Sequence, residues 1–415
     1  MYSYRKPIRR KKSRKSKSLY VTAMVLAVLG IFAAKLLVIF PTVYATTDIQ
    51  DVKLANTLAI PWPAYGQSAV GVKGHGVVSA SPNQSAQPTA SVAKLVTALA
   101  ILEKKPLVNN EQGEQIVISD ADIAIYDFYL SHQGVVVDIK PGQSISQYKA
   151  LQYMLILSAN NIADISAKWA FGSVDEYTAY ANDMIKKMGL STMHIDDASG
   201  LSPKTISSAE DLVRLGEYAL DNPVIADIVA QESIDLPEGT QKINTNVFLN
   251  YQGNGVIGIK NGLTDEAGGV LLAAAKRTVD NTQLTIISVV MGSERYFDSQ
   301  KDAVALIDPT VSALSGSASI AAGTVVGHYD VPWGENADVI TKEPITLNKW
   351  TNALDASYVE LYPITTTTQK GTVVGKMTVP QDNANASEAQ IMLDSDVNNP
   401  STKWRIMGLI NKTSY

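Results

Sequence analysis

Pro88-Thr-Ala-Ser-Val-Ala-Lys-Leu-Val-Thr-Ala-Leu99 places Ser91 and Lys94 three residues apart at the head of an apolar run. Apolar side chains recur at Val92, Leu95, Val96, Leu99 and Leu102, and Pro106 follows, which predicts a helix from Ala90 to Lys104. Positions i and i+3 share a helix face, so the Ser91 hydroxyl and the Lys94 amine can meet. A lysine whose pKa is lowered by burial or by a neighbouring cation can serve as the base that makes a serine nucleophilic. The helix N-terminus also presents backbone N–H groups near Ser91, suited to a tetrahedral oxyanion. Alone, Ser-x-x-Lys is common and fits an exposed polar pair equally well.

Two further motifs follow in order, at spacings of 67 and 102 residues: Ser158-Ala-Asn160 and Lys260-Asn-Gly262. The first comes just past the apolar run Met154-Leu-Ile-Leu157. There, Ser158 can relay a proton while Asn160 orients a substrate amide and helps hold Lys94. A helix-end Ser/Asn cap is the plain alternative. The second ends a strand; Lys260 supplies positive charge and lowers the Lys94 pKa, and Gly262 permits close approach. An ordinary Asn-Gly hairpin turn is the alternative there.

Around these motifs the pattern is α+β. Residues 66–80 read as two short strands, 146–170, 174–188 and 208–220 as helices, and 255–260, 270–275 and 285–291 as strands. Arg295 to Ile307 reads as a helix, and 313–322 as a linker. Beyond it, short strands at 323–328, 356–361, 371–379 and 389–394 predict a small all-β domain. The near-identical pentapeptides Gly323-Thr-Val-Val-Gly327 and Gly371-Thr-Val-Val-Gly375 suggest equivalent hairpins.

Ser-x-x-Lys with Ser-Asp-Asn and Lys-Thr-Gly is the signature of β-lactamases and penicillin-binding proteins, and the order is the same here with Ala159 and Asn261 at the middle positions. Five segments here resemble the serine-type D-alanyl-D-alanine carboxypeptidases, the low-molecular-mass penicillin-binding proteins. They are residues 88–99, Leu155-Ile-Leu-Ser-Ala-Asn-Asn-Ile-Ala-Asp164, Asp197-Ala-Ser-Gly-Leu201, Gly258-Ile-Lys-Asn-Gly-Leu-Thr-Asp-Glu-Ala-Gly268 and Lys370-Gly-Thr-Val-Val-Gly-Lys376. The resemblance spans about residues 60–380. It implies a penicillin-binding/β-lactamase-like catalytic domain, an antiparallel sheet with a helical cluster, over residues 46–312. A C-terminal β domain would cover 320–415.

It also implies an acyl-enzyme mechanism on peptidoglycan stem peptides ending in D-Ala-D-Ala. Ser91 would be the nucleophile, Lys94 the general base, Ser158 the proton relay and Asn160 an orienting group. Lys260 and Asn261, with Gly262, would hold the substrate's carboxylate. The N–H groups of Ser91 and Leu263 would form the oxyanion hole, and Arg295 falls where the family has an arginine implicated in carboxylate binding. β-Lactams would acylate Ser91. Asn261 departs from the family's Thr or Ser; it can donate to a carboxylate but lacks the hydroxyl geometry. If Asn weakens carboxylate binding, Asn261→Thr is expected to raise the peptidase rate. A catalytically weak or silent wall-binding homologue is the alternative this departure raises. A β-lactamase fits less well, because no Glu-x-x-Leu-Asn segment lies between the second and third motifs.

The bulk composition agrees with an extracytoplasmic enzyme. Residues 1–17 hold nine basic side chains and no acid, while the rest of the 415-residue chain is near −14, which argues against a nucleic-acid surface. Residues 1–18 read as a basic cytoplasmic tail, and 19–41 as a transmembrane anchor with its N-terminus inside, or a cleaved signal segment. Cysteine is absent. The four histidines are scattered, and Asp394-Ser-Asp-Val-Asn-Asn399 lacks the glycine and terminal glutamate of a calcium loop. No metal or cofactor is expected.

Overall fold

The computed structural model describes residues 14–38, 43–48, 58–108, 111–236, 239–350, 357–364, 367–381 and 386–411. The basic run through Lys12 lies outside them. The chain divides into two compact units: Ala55–Ala318 with Asn348–Asn352, and Met1–Leu54 with Ser319–Leu347 and Ala353–Tyr415.

The first unit is built on a five-stranded antiparallel sheet. Its strand order is Val256–Thr264, Gly268–Val279, Thr282–Ser293, Gln67–Val72, Gly76–Ala80. Gly268–Val279 and Thr282–Ser293 exceed their sequence-based limits at both ends, and Val256–Thr264 runs on past Lys260 through the third motif, side chains alternating between faces along them. Alternation also sorts the two faces. Leu272, Ala274, Ile287 and Val289 join a large core with the helices. Leu271, Ala273 and Val290 pack with Ala303 and Leu306 on the other side.

Three helical segments differ from the sequence reading. The nucleophile segment starts as a 3-10 turn, Ala90–Ala93, before the α-helix Lys94–Lys104. The expected helix over 146–170 is two helices, Gln147–Leu155 and Asn160–Phe171. Ser158 interrupts them at φ +65, a conformation no α-helix can contain. The helix expected over 295–307 is likewise split, into Tyr296–Ala305 and Ile307–Leu314, and the second occupies the start of the expected linker.

The second unit carries a six-stranded antiparallel sheet. Its order is Tyr44–Thr47, Val325–Asp330, Ala337–Thr341, Ala386–Leu393, Val373–Pro380, Tyr358–Leu361. Tyr44–Thr47, where the sequence reading expects no strand, is thus an edge strand. The two pentapeptides do play equivalent roles. Gly323 and Gly371 both sit at φ +81, and each strand bulges before its second glycine. Residues Arg14–Val38 form a 25-residue helix. Among the described residues, no helix is long and apolar enough to cross a membrane.

The sheet edge and the nucleophile turn touch through glycine. A Cβ added at Gly262 would lie 2.7 Å from the Ser91 nitrogen and 2.8 Å from the Ala90 Cβ. Gly262→Ala is therefore expected to push strand and turn apart, costing about 1–3 kcal/mol of stability and slowing acylation of Ser91. An unchanged thermal midpoint and acylation rate would show that this contact is slack.

Candidate active site

Ser91 sits on the 3-10 turn, and the next helical turn begins with Lys94. Lys94 is fully buried, with Nζ 2.8 Å from Ser91 Oγ, 2.7 Å from Asn160 Oδ1 and 2.6 Å from the Ser199 carbonyl oxygen. An ammonium has three N–H donors, so these partners account for all of them. Burial pushes the Lys94 pKa down to about 7, against the opposing pull of the Asp197 and Asp164 carboxylates. A substantial neutral fraction at physiological pH is what a general base needs.

The break between the two helices aims the second motif. Its positive φ turns Ser158 inward, where Oγ accepts a 3.0 Å hydrogen bond from Lys260 Nζ. Asn160 opens the following helix, and its backbone N–H donates to the Val135 carbonyl at 2.7 Å. Its side chain passes so close to Gly134 that a Cβ there would lie 2.8 Å from Asn160 Nδ2.

Lys260 is the second buried amine. It also donates to the Asn261 carbonyl at 2.8 Å and contacts Asn261 Oδ1 at 3.3 Å. Burial lowers its pKa well below the ordinary lysine value, and the charge on Lys94 lowers it further. Two ammoniums in one buried pocket repel, so the pair favours a single positive charge.

Asn261 is 2% exposed. Its Oδ1 accepts from the Thr245 hydroxyl at 2.9 Å, while its Nδ2 is buried without a hydrogen-bond partner. The Thr245 backbone N–H in turn donates to the Ile156 carbonyl at 3.3 Å, and the Thr245 carbonyl accepts from the Tyr296 hydroxyl at 3.1 Å. Asn261 thereby ties the third-motif strand to the segment ahead of the second motif.

The structure thus brings Ser91, Lys94, Ser158, Asn160, Lys260 and Asn261 into one buried cluster, with Gly262 against the Ser91 backbone. Residues 66–295 match the D-alanyl-D-alanine carboxypeptidase family, peptidase S11. The chain belongs to this family.

A D-alanyl-D-alanine carboxypeptidase of Bacillus subtilis is 25% identical over 319 residues, covering 74% of this chain and 79% of that one. A D-alanyl-D-alanine endopeptidase of Haemophilus influenzae is 28% identical over 223 residues, covering 53% and 73%. Among solved structures, penicillin binding protein 5 from Haemophilus influenzae aligns with a TM-score of 0.58 at 19% identity. That alignment covers 83% of this chain and 100% of the other, a likeness of fold.

Of the remaining residues expected in the S11 site, Leu263 follows Gly262 on the edge strand; the role expected of it belongs to its backbone N–H, and its side chain is 52% exposed. Arg295 caps the helix Tyr296–Ala305 and is exposed; its guanidinium makes no hydrogen bond or ion pair with the described residues. Conversely, Tyr129, Ser199 and Thr245 join the site without having been singled out from sequence. Tyr129 lies on the helix Asp120–Ser131, which the sequence reading passed over although Ser119 and Asp122 form a capping box at its start. Thr245 carries no signal, because its contact depends on how a loop crosses the strand.

This geometry reverses the outcome expected from sequence for Asn261→Thr. A threonine hydroxyl stands closer to the backbone and cannot meet both Thr245 and Lys260. Acylation is therefore expected to fall roughly tenfold, equivalent to about 1.4 kcal/mol, when measured with labelled penicillin. A faster variant would show that Asn261 is a weakened threonine rather than an adapted anchor.

Proposed function

We propose that this chain is a serine D-alanyl-D-alanine carboxypeptidase that removes the terminal D-alanine from peptidoglycan stem peptides through an acyl-enzyme on Ser91. The observation that carries the reading is the buried Lys94 amine, 2.8 Å from the Ser91 hydroxyl. Neutral Lys94 takes the Ser91 proton as Oγ attacks the carbonyl carbon of the D-Ala-D-Ala bond. The backbone N–H groups of Ser91 and Leu263 stabilise the oxyanion. Collapse of the tetrahedral intermediate breaks the C–N bond, and the departing amine receives a proton through Ser158. Water then attacks the ester, releases the shortened peptide and returns the proton to Ser91.

Lys260 attracts the substrate's terminal carboxylate. That anion favours the ammonium form that burial alone disfavours, so substrate binding and Lys260 charging reinforce each other. Asn160 orients the scissile amide and the Lys94 amine. Gly262 leaves room for the peptide to lie along the edge strand, and Arg295 can swing from its exposed helix end towards the carboxylate. A β-lactam presents a carbonyl and a carboxylate in a similar arrangement, and its ring nitrogen stays tethered after acylation.

The expected catalytic domain, 46–312, corresponds to the unit Ala55–Ala318 with Asn348–Asn352, and the expected β domain, 320–415, to the unit that also takes in the strand Tyr44–Thr47. Residues 19–41, mostly apolar in sequence with Lys35 as their one charge and preceded by nine basic side chains, support an anchor in the cytoplasmic membrane with the basic tail inside and the catalytic body outside.

The test uses the full-length chain in detergent, with a labelled penicillin and a peptide ending in D-Ala-D-Ala. A stable label on Ser91 together with release of D-alanine is expected. A folded chain that gives neither would contradict both the carboxypeptidase and any β-lactamase activity, while rapid penicillin turnover would point to the latter.

A further inference from the structure

Within electrostatic reach of Lys94 lies a second polar group that the mechanism above does not use. Asp164 sits one helical turn beyond Asn160 on the helix Asn160–Phe171, where i and i+4 share a face. One carboxylate oxygen, Oδ2, accepts from the Tyr129 hydroxyl at 2.8 Å. The other, Oδ1, is buried without a hydrogen-bond partner. The Tyr129 hydroxyl is also 3.1 Å from Ser199 Oγ, and the Ser199 carbonyl is one of the three acceptors of Lys94.

Asp197, the other carboxylate near Lys94, is differently placed. It accepts from the Ser199 hydroxyl at 2.7 Å, the Leu201 N–H at 2.9 Å and the Thr205 hydroxyl at 2.6 Å, so its charge is already satisfied by donors. Asp164 has only the tyrosine, and a buried carboxylate with so few donors gains most from a nearby cation. We propose that Asp164, held by Tyr129, is a positioning residue for the base: its carboxylate compensates the positive charge that Lys94 acquires when Ser91 is deprotonated. This rests on the acyl-enzyme reading above. In that step the Ser91 O–H bond breaks, an N–H bond forms on Lys94 and an Oγ–C bond forms to the substrate. Asp164 exchanges no proton.

The surrounding charges fit this role. Lys94 is faced by Asp164 from its neighbouring helix, by Asp197 from the loop after Ile195 and by Lys260 from the edge strand. Asp164 is faced by Tyr129, Asp197 and Lys94, and Tyr177 borders the same carboxylates with its hydroxyl 2.7 Å from Thr97 Oγ1. Burial pushes the Asp164 carboxyl up to about 7. Once Asp164 is ionised, proton uptake by Lys94 converts a lone buried anion into an ion pair.

The test is the pH profile of Ser91 acylation by labelled penicillin in Asp164→Asn and Tyr129→Phe. Removing the carboxylate lowers the Lys94 pKa. In Asp164→Asn the acid limb is therefore expected to move down by roughly one pH unit, with the plateau falling about 10- to 100-fold. Tyr129→Phe keeps the acid but removes its donor, making it harder to ionise. Its limb should move the same way by a smaller amount, and this variant carries the test if Asp164→Asn fails to fold. A folded variant with the wild-type limb, whatever its plateau, would overturn the proposal by showing a purely structural role. Absence of acylation in the wild-type chain at every pH would instead contradict the function itself, and this role with it.

Discussion

Everything in the catalytic unit turns on one amine kept out of water. Lys94 has no exposed surface, yet its three neighbours are a hydroxyl, an amide oxygen and a backbone carbonyl rather than a carboxylate. A direct ion pair would have fixed the proton on the lysine. Neutral acceptors satisfy its donors without doing so, and burial then makes the proton easy to lose. The cost is spread over the surrounding structure: a 3-10 turn carrying Ser91, a helix broken at Ser158, and glycines at 134, 200 and 262 where backbone and side chains crowd the cluster.

Lys260 makes the arrangement two-sided. The same burial and the proximity of Lys94 discourage a second charge on Lys260. On the proposed reading, a substrate carboxylate would alter that balance in favour of charge on Lys260 and neutrality at Lys94. Asn261 belongs to this second side. Its oxygen bridges Lys260 and Thr245, so its place in the motif is explained by anchoring rather than by exposure to substrate.

The sheet, the nucleophile helix and the three motifs were legible because each leaves a local mark: alternation, 3.6-residue spacing, or a fixed short pattern. The break at Ser158 was not, since the segment 146–170 has continuous helical periodicity and only a backbone dihedral interrupts it. The strand Tyr44–Thr47 was hidden for another reason. Its partner, Val325–Asp330, lies almost three hundred residues away, and four residues carry too little pattern to announce a pairing. The same limit applies inside the site. Lys94, Ser158 and Asn160 stand in recognisable motifs, whereas Tyr129 and Thr245 reach the cluster only through the packing of a helix and a loop. Arg295 illustrates the converse: its position along the chain suggested a role, but its side chain stands at an exposed helix end.

The most direct measurement is an NMR titration of the Lys94 side-chain amine in the full-length, ligand-free protein, assigned by comparison with Lys94→Arg. The account requires this amine to lose its proton near pH 7, well below the ordinary lysine value of 10.5. A Lys94 amine that stays protonated up to the ordinary lysine range would contradict it, because Ser91 would then have no base.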